Sequence, residues 1–411
     1  MATASPILAR MREIPKGIWV LGCVSLFMDI SSELIHALLP VYLVTVMSVS
    51  MVTVGIIEGI AEATASIVKI FSGAMSDWLG KRKLLAVIGY GLAAFTKPIF
   101  PVAGSVNLLI AARFVDRVGK GIRGAPRDAL IADMAPAHMR GGSFGLRQSL
   151  DTIGAFLGPL LAIFLMWLTT NNFQAVFWVA VIPAFLALAL LVFAVHEPAR
   201  PTGLRKVKFP LSLPELNRLG SNYWLVVAVA TVFSLARFSE AFLILRAQGI
   251  GLPLVLIPMV LVLMNVVYAL VAYPAGALSD RYHRVTLLII GFCVLIAADL
   301  VLAFADGLVG VGFGVALWGL HLGLTQGLLA ALVADTTPQE LRGTAFGMFH
   351  LTGGLALLAA SILAGVLWEG FGAQATFLSG ACLTAIALAG LGLLRWYLPA
   401  LGAFHKPQEN A

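Results

Sequence analysis

Apolar runs of about 20 residues, broken by short polar turns, occupy most of this chain. Runs of that length cross the hydrocarbon core of a bilayer as helices. They fall at 17–42, 52–76, 83–102, 106–130, 143–168, 173–196, 222–246, 253–278, 285–304, 308–334, 343–367 and 373–398. The pattern predicts an all-α integral membrane protein with twelve transmembrane helices in two pseudo-symmetric six-helix halves. The expected division is an N-terminal half at 1–196, a cytoplasmic linker at 197–221 and a C-terminal half at 222–411. Pro198, Pro201, Pro210 and Pro214 argue against a folded domain in the linker. The first apolar run is too long for a cleaved signal segment, and no small-residue cleavage site follows it.

The polar turns repeat. Gly73-Ala-Met-Ser-Asp77 returns as Gly276-Ala-Leu-Ser-Asp280, 203 residues later. Asp133, Pro136, Arg140, Gly141, Phe144 and Gly145 return as Asp335, Pro338, Arg342, Gly343, Phe346 and Gly347, 202 residues later. Two unrelated motifs with nearly one offset indicate a duplicated unit of half the chain. In a membrane protein, parallel repeats suggest a transporter with its site between them.

Composition agrees: 60% of residues are hydrophobic and 11% charged, against about 25% charged in soluble chains. The formal charge of +7 is distributed by topology. Arg10, Arg12, Lys16, Lys81, Arg82, Lys83, Arg140, Arg200, Arg205, Lys206, Lys208, Arg218, Arg281, Arg284, Arg342 and Lys406 lie on one side. The loops near 44–51, 103–105, 169–174, 247–252, 305–307 and 369–374 hold no Lys or Arg. The positive-inside rule then puts both termini in the cytoplasm of a plasma or inner membrane. No stacking aromatics alternate with the bases, so nucleic acid is not an expected partner. Cys23, Cys293 and Cys382 lie in apolar runs without a CxxC pair and are expected to be buried hydrophobes.

Two matches carry little. Gly119-Lys-Gly121-Ile-Arg-Gly124 fits a dinucleotide fingerprint but sits inside a predicted membrane helix. Glu33-Leu-Ile-His36 is half of a di-iron site with no second half. No phosphate-binding GxxxxGK[ST] occurs, so neither an ATP-driven pump nor an enzyme is expected, and no cofactor is implied.

The turn Gly73-Ala-Met-Ser-Asp77-Trp-Leu-Gly80-Lys81-Arg82-Lys83 has the chemistry of a latch. Gly80 suits a tight turn, and Gly73 permits close helix approach. Asp77 can hold a helix N-terminus or a neighbouring arginine. Gly276 and Asp280 supply a second copy. GAMSDWLGKRK resembles motif A of the major facilitator superfamily, and GALSDRYHR its degenerate twin. Arg117-Val-Gly-Lys-Gly121-Ile-Arg-Gly-Ala125 resembles that family's motif B, RxxQGxGxA, departing at Lys120 and Arg123. Gly154-Ala-Phe-Leu-Gly158-Pro159 resembles its antiporter motif, although Leu160, Leu161 and Ala162 follow in place of glycines. The resemblance implies alternating access by rocking of two halves, without ATP. The stretch from Ser25 to His36, with the charged run of span 4, is similar to nickel-resistance exporters, but the C-terminal tail holds one histidine.

Ionisable residues inside a bilayer are costly and mark pathways. Asp29, Glu33 and His36 share one face of span 1. Glu58 and Glu62 lie on span 2, Arg113, Asp116, Arg117, Lys120 and Arg123 on span 4, and Arg147 and Asp151 on span 5. The second half offers Arg237, Glu240, His321 and His350. We take Asp29, Glu33, His36, Glu58, Glu62, Arg113, Asp116, Arg117, Lys120, Arg147, Asp151, Glu240, His321 and His350 as candidate proton-coupling or substrate residues. Glu33 with Asp29 is the expected proton carrier. Gly73, Asp77, Gly80, Lys81, Arg82, Gly276 and Asp280 are the candidate cytoplasmic gate. The expected function is proton-coupled efflux of a small solute by a monomeric secondary transporter. A divalent metal or its chelate stands ahead of a drug-like or anionic organic compound, because Asp29, Glu33, His36, Glu58 and Glu62 form an oxygen-plus-imidazole set. A receptor without flux is the remote alternative.

Overall fold

The computed structural model describes residues 11, 13–39, 42–43, 46–49, 51–198, 212–252 and 258–397, without the side chains of 51–60, 62–63, 258 and 393–397. Expectations for Arg10, Arg12, Arg200, Arg205, Lys206, Lys208, Lys406 and the side chains of Glu58 and Glu62 therefore lie outside the described residues.

Apolar runs became helices, and the differences from expectation have local causes. The helices are α1 (Lys16–His36), α2 (Met51–Leu79), α3 (Arg82–Thr96), α4 (Val106–Met134), α5 (Arg140–Leu168) and α6 (Phe173–Ala194). The second half holds α7 (Gly220–Ala236), α8 (Ala241–Gly249), α9 (Pro258–Ser279), α10 (Arg284–Phe304), α11 (Leu308–Asp335) and α12 (Arg342–Tyr397). Span 3 stops at Thr96 and resumes as Ile99–Val102, because Pro98 cannot donate to the helical ladder. Span 7 was expected to be continuous over 222–246, yet it breaks at 237–240 between α7 and α8. Spans 11 and 12 run together as α12, parted at Gly372, whose φ of 85° is open to glycine at little cost.

Nine helical segments among the described residues are long and apolar enough to cross a membrane, the last (339–392) holding two of the expected spans. The 29-residue α2 and α4 are long enough as well. Together they accommodate the twelve spans. Bulky apolar side chains cover the outer surface, among them Phe95, Trp167, Phe193, Val309 and Phe371. Such a surface needs lipid around it. Cys23 is half-buried, whereas Cys293 and Cys382, expected inside, lie on that outer surface, where a thiol is tolerated as a small apolar group.

Within the first half α1 packs on α5 and α6, and α4 on α2 and α3. In the second half α11 packs on α9 and α10, and α12 on α7 and α10. The halves meet through α5 against α9 and α2 against α12. The repeat converts one of these contacts into the other, as a two-fold relation requires. Phe144 and Phe346, equivalent in the repeat, meet with ring centroids 5.8 Å apart, so the pseudo-axis passes between them.

Candidate functional site

The end bearing the basic turns is closed by two matched latches. The Asp77 carboxylate, at the end of α2, accepts from Gly343 N (3.0 Å), Thr344 N (2.6 Å) and Thr344 Oγ1 (2.8 Å) at the start of α12. The Asp280 carboxylate, after α9, accepts from Gly141 N (2.9 Å) and Gly142 N (2.8 Å) at the start of α5. Helix N-termini leave unpaired N–H groups and a positive dipole end, so a carboxylate is the natural partner. The helices come this close because glycine faces glycine: a Cβ on Gly73 would strike Gly343 O, and one on Gly276 would strike Gly141 O. Gly80 takes φ 69° in the turn.

Arginines extend each latch. Arg82 reaches Asp77 at 3.3 Å and Asp133 at 2.5 Å, and Arg342 reaches Asp133 at 2.6 Å. The mirror set is Arg284 with Asp280 at 3.3 Å, Arg284 with Asp335, and Arg140 with Asp335 at 2.8 Å. Arg82 also donates to Gln339 O (2.6 Å), tying the turn to the opposite half. Lys81 is exposed at the start of α3.

Deeper in the bundle lies an unsymmetrical polar network. Asp29 of α1 and Asp151 of α5 are within side-chain hydrogen-bonding range. Two carboxylates can bond only through a proton, because an ionised carboxylate accepts and does not donate. Arg147 donates to Asp151 at 2.8 Å, and Arg127 stands 3.8 Å from it. The same arginines flank Asp128, Arg127 at 3.1 Å and Arg147 at 3.9 Å. Asp128 in turn bonds His350 Nε2 on α12 at 2.8 Å. Arg127 also donates to Ser25 Oγ (3.3 Å), and Arg123 lies 4.7 Å over the Tyr90 ring. α1 approaches α5 closely because Gly154 and Gly158 present no side chain: a Cβ on Gly158 would lie 2.5 Å from Glu33 Cβ.

The other expected residues are placed elsewhere. Glu33 pairs with His36 at 3.5 Å on its own helix, not with Asp29. Asp116 pairs first with Lys97 (2.8 Å), which also donates to Ser32 Oγ (3.2 Å), and then with Arg117 (3.6 Å) and Arg113 (3.9 Å). All four side chains of that group are buried. Lys120 lies within electrostatic reach of both Asp29 and Glu33. In the second half Glu240 is exposed beside the break and feels Arg237 and, opposite it, Glu33. Gln326, its amide oriented to satisfy both neighbours, donates to Tyr268 Oη (3.1 Å) and accepts from Arg237 (3.3 Å). His321 is fully buried between the Phe233 and Trp318 rings, with the Trp318 backbone within reach. Gly119-Lys-Gly121-Ile-Arg-Gly124 sits inside α4, where Gly119 meets Gly89 of α3 and Gly121 meets Ala65 of α2.

Sequence reasoning missed Arg127 and Asp128. They lie at the end of the expected span 106–130, beside Pro126, past the charged residues singled out on it. The run continues helically to Met134, which carries both inside. Asp299 was missed too: it is fully buried on α10 and accepts from Trp318 Nε1 at 3.0 Å.

The family model described as Major Facilitator Superfamily matches residues 21–360 and 242–410. An uncharacterised MFS-type transporter of Methanocaldococcus jannaschii is 32% identical over 93% of this chain and 95% of its own. The inner membrane transport protein YajR of Escherichia coli is 26% identical over 90% of this chain and 81% of its own. Among solved structures, the E. coli fucose:proton symporter FucP superposes with a TM-score of 0.75 at 16% identity, over 92% of this chain and 98% of that one. That likeness is one of fold.

Proposed function

The chain belongs to the major facilitator superfamily, and from that premise we propose that it is a proton-coupled secondary transporter of a small polar solute. The observation that carries the reading is the Asp29–Asp151 pair. Two carboxyl groups that meet between two helices of one half can share a proton, and Arg127 and Arg147 stand beside them to balance the remaining charge. A carboxyl pair so placed gains or loses a proton as water reaches it from one side or the other, which is what coupling requires.

The latches supply the second requirement, an end that closes and reopens. Each is a set of hydrogen bonds and ion pairs between the halves, which rocking can break. We read the basic end as cytoplasmic from the positive-inside rule, and the division of the halves at 197–221 as the linker that lets them move. The chain, in this conformer, is closed to that side.

For the solute, the described residues favour a small organic compound bearing both polar and charged groups. Arg237, Gln326 and Tyr268 of the second half stand ready with donors, while Asp29, Lys120 and Arg127 of the first are half-buried. The metal reading draws on Asp29, Glu33, His36, Glu58 and Glu62; the side chains of Glu58 and Glu62 lie outside the described residues, and among those described no three His, Cys, Asp or Glu side chains are grouped to hold an ion.

The test is flux in proteoliposomes under an imposed pH gradient, with labelled organic solutes and divalent metals side by side. Asp29→Asn and Asp151→Asn are expected to abolish pH-driven accumulation, and Glu33→Gln to retain it. Accumulation that persists in both aspartate variants would sink the proposal. The sign of the solute gradient reads whether the protein exports or imports.

A further inference from the structure

The latches at the basic end obey the repeat; the bond above them does not. Counted through the duplication, Gln148 and Ala330 occupy the positions equivalent to His350 and Asp128. The 2.8 Å bond between His350 and Asp128 therefore has no twin. It joins α4 of one half to α12 of the other, six residues from the end of α4 and eight from the start of α12. At a rise of about 1.5 Å per residue, it lies about 9–12 Å inside the latch layer. Opening the basic end must part α4 from α12, so this bond must break as well.

Its acceptor is shared. Asp128 Oδ2 takes the His350 proton while Oδ1 faces Arg127 and Arg147, and both arginines also face Asp151. An ionised Asp128 only accepts, so His350 Nε2 donates. Among the described residues, the other charges near His350 are Lys69 of α2, whose stem lies on α4 at Gly124, Arg127 of α4, and Arg147 of α5 beside Asp128. Asp128 is buried, whereas the side chain of His350 is 25% exposed and reachable by water.

We propose that the His350–Asp128 bond is an inner gate, and that Arg127 and Arg147 set its strength according to the charge on the Asp29–Asp151 pair. With the pair singly protonated, Asp151 holds the arginines and leaves Asp128 free to accept from His350. A second proton neutralises the pair, the arginines turn to Asp128, and they compete with His350 for it. The protons come from water reaching the pair and return there, so no other reactant is needed. The regulatory part rests on the proton-coupling reading above; the gate itself does not.

The experiment is a double-mutant cycle on opening, in lipid nanodiscs, read by distances between spin labels. The labels sit at the exposed Ala137 and Tyr282, on basic-end turns of opposite halves, with Cys23, Cys293 and Cys382 replaced by serine. His350→Leu is expected to raise the open population about tenfold, the scale of one hydrogen bond to a charged group. His350→Gln keeps a donor and is expected to restore closure. Asp151→Asn should raise the open population several-fold in the wild type and add little in His350→Leu. A wild-type distance distribution in His350→Leu overturns the gate. Independent, multiplying effects of Asp151→Asn and His350→Leu overturn the arginine link. Loss of pH-driven flux as a property of the wild type would remove the proton reading while leaving both outcomes of the cycle readable.

Discussion

Removing the Asp77 carboxylate is expected to open the basic end. Three of its bonds cross between the halves, from Gly343 N, Thr344 N and Thr344 Oγ1. Its contact with Arg82 does not count, because α2 and α3 move together and Arg82 keeps Asp133. Hydrogen bonds to a charged group are worth about 1.5–3 kcal/mol each when buried. Opening lets water replace them, and the three share one carboxylate, so we take about 3 kcal/mol for the set. At about 1.4 kcal/mol per tenfold, Asp77→Ala should shift the closed-to-open ratio about a hundredfold. Asp77→Asn keeps one acceptor oxygen and loses the charge, which should cost about half as much, near tenfold. The labelled nanodisc protein, with probes at Ala137 and Tyr282, reads the ratio directly. Asp280→Ala should act alike, since its carboxylate caps α5 as Asp77 caps α12. A closed population unchanged in Asp77→Ala would refute the assignment of closure to these caps.

Gly343→Ala places a Cβ against Gly73 O and Ser76 Oγ, where backbone cannot yield; it should open the same end several-fold in the distance assay with little change in melting temperature. Lys97→Met should destabilise less than Asp116→Leu, by thermal unfolding, because Asp116 would keep Arg113 and Arg117 whereas its loss leaves three cations together; equal costs would contradict this. Asp299→Leu strands the buried Trp318 Nε1 and should cost about 1–3 kcal/mol, while Asp299→Asn keeps the acceptor and should lie near wild type in the same measurement.

Much of the architecture was readable from the chain. Apolar runs have the length of a bilayer, and the backbone in lipid must satisfy itself as helix. The Gly73–Asp77 and Gly276–Asp280 turns were legible because duplication wrote them twice. The break at 237–240 was not, since it contains neither Gly nor Pro. It is held from outside, by Ser361 Oγ of α12 accepting from Ser239 N at 3.1 Å and by Gln326 on Arg237.

The central chemistry divides in the same way. Sequence spacing put Asp29, Glu33 and His36 on one helical face, and only Glu33 and His36 meet there. Periodicity along one helix fixes which side chains share a face, within a reach of three or four residues. It says nothing of which other helix that face meets. Beyond their own helices, Asp29, Asp116 and Asp128 reach Asp151, Lys97 and His350, from 19 to 222 residues away. The chain by itself therefore determined that this is a duplicated membrane bundle with a latch at each repeat. The packing of α1 on α5, and of α12 against α4, decided which acids come together and which histidine bonds across the halves. A buried charge is stable only beside its partner, and partners are chosen by helix packing, not by position along the chain.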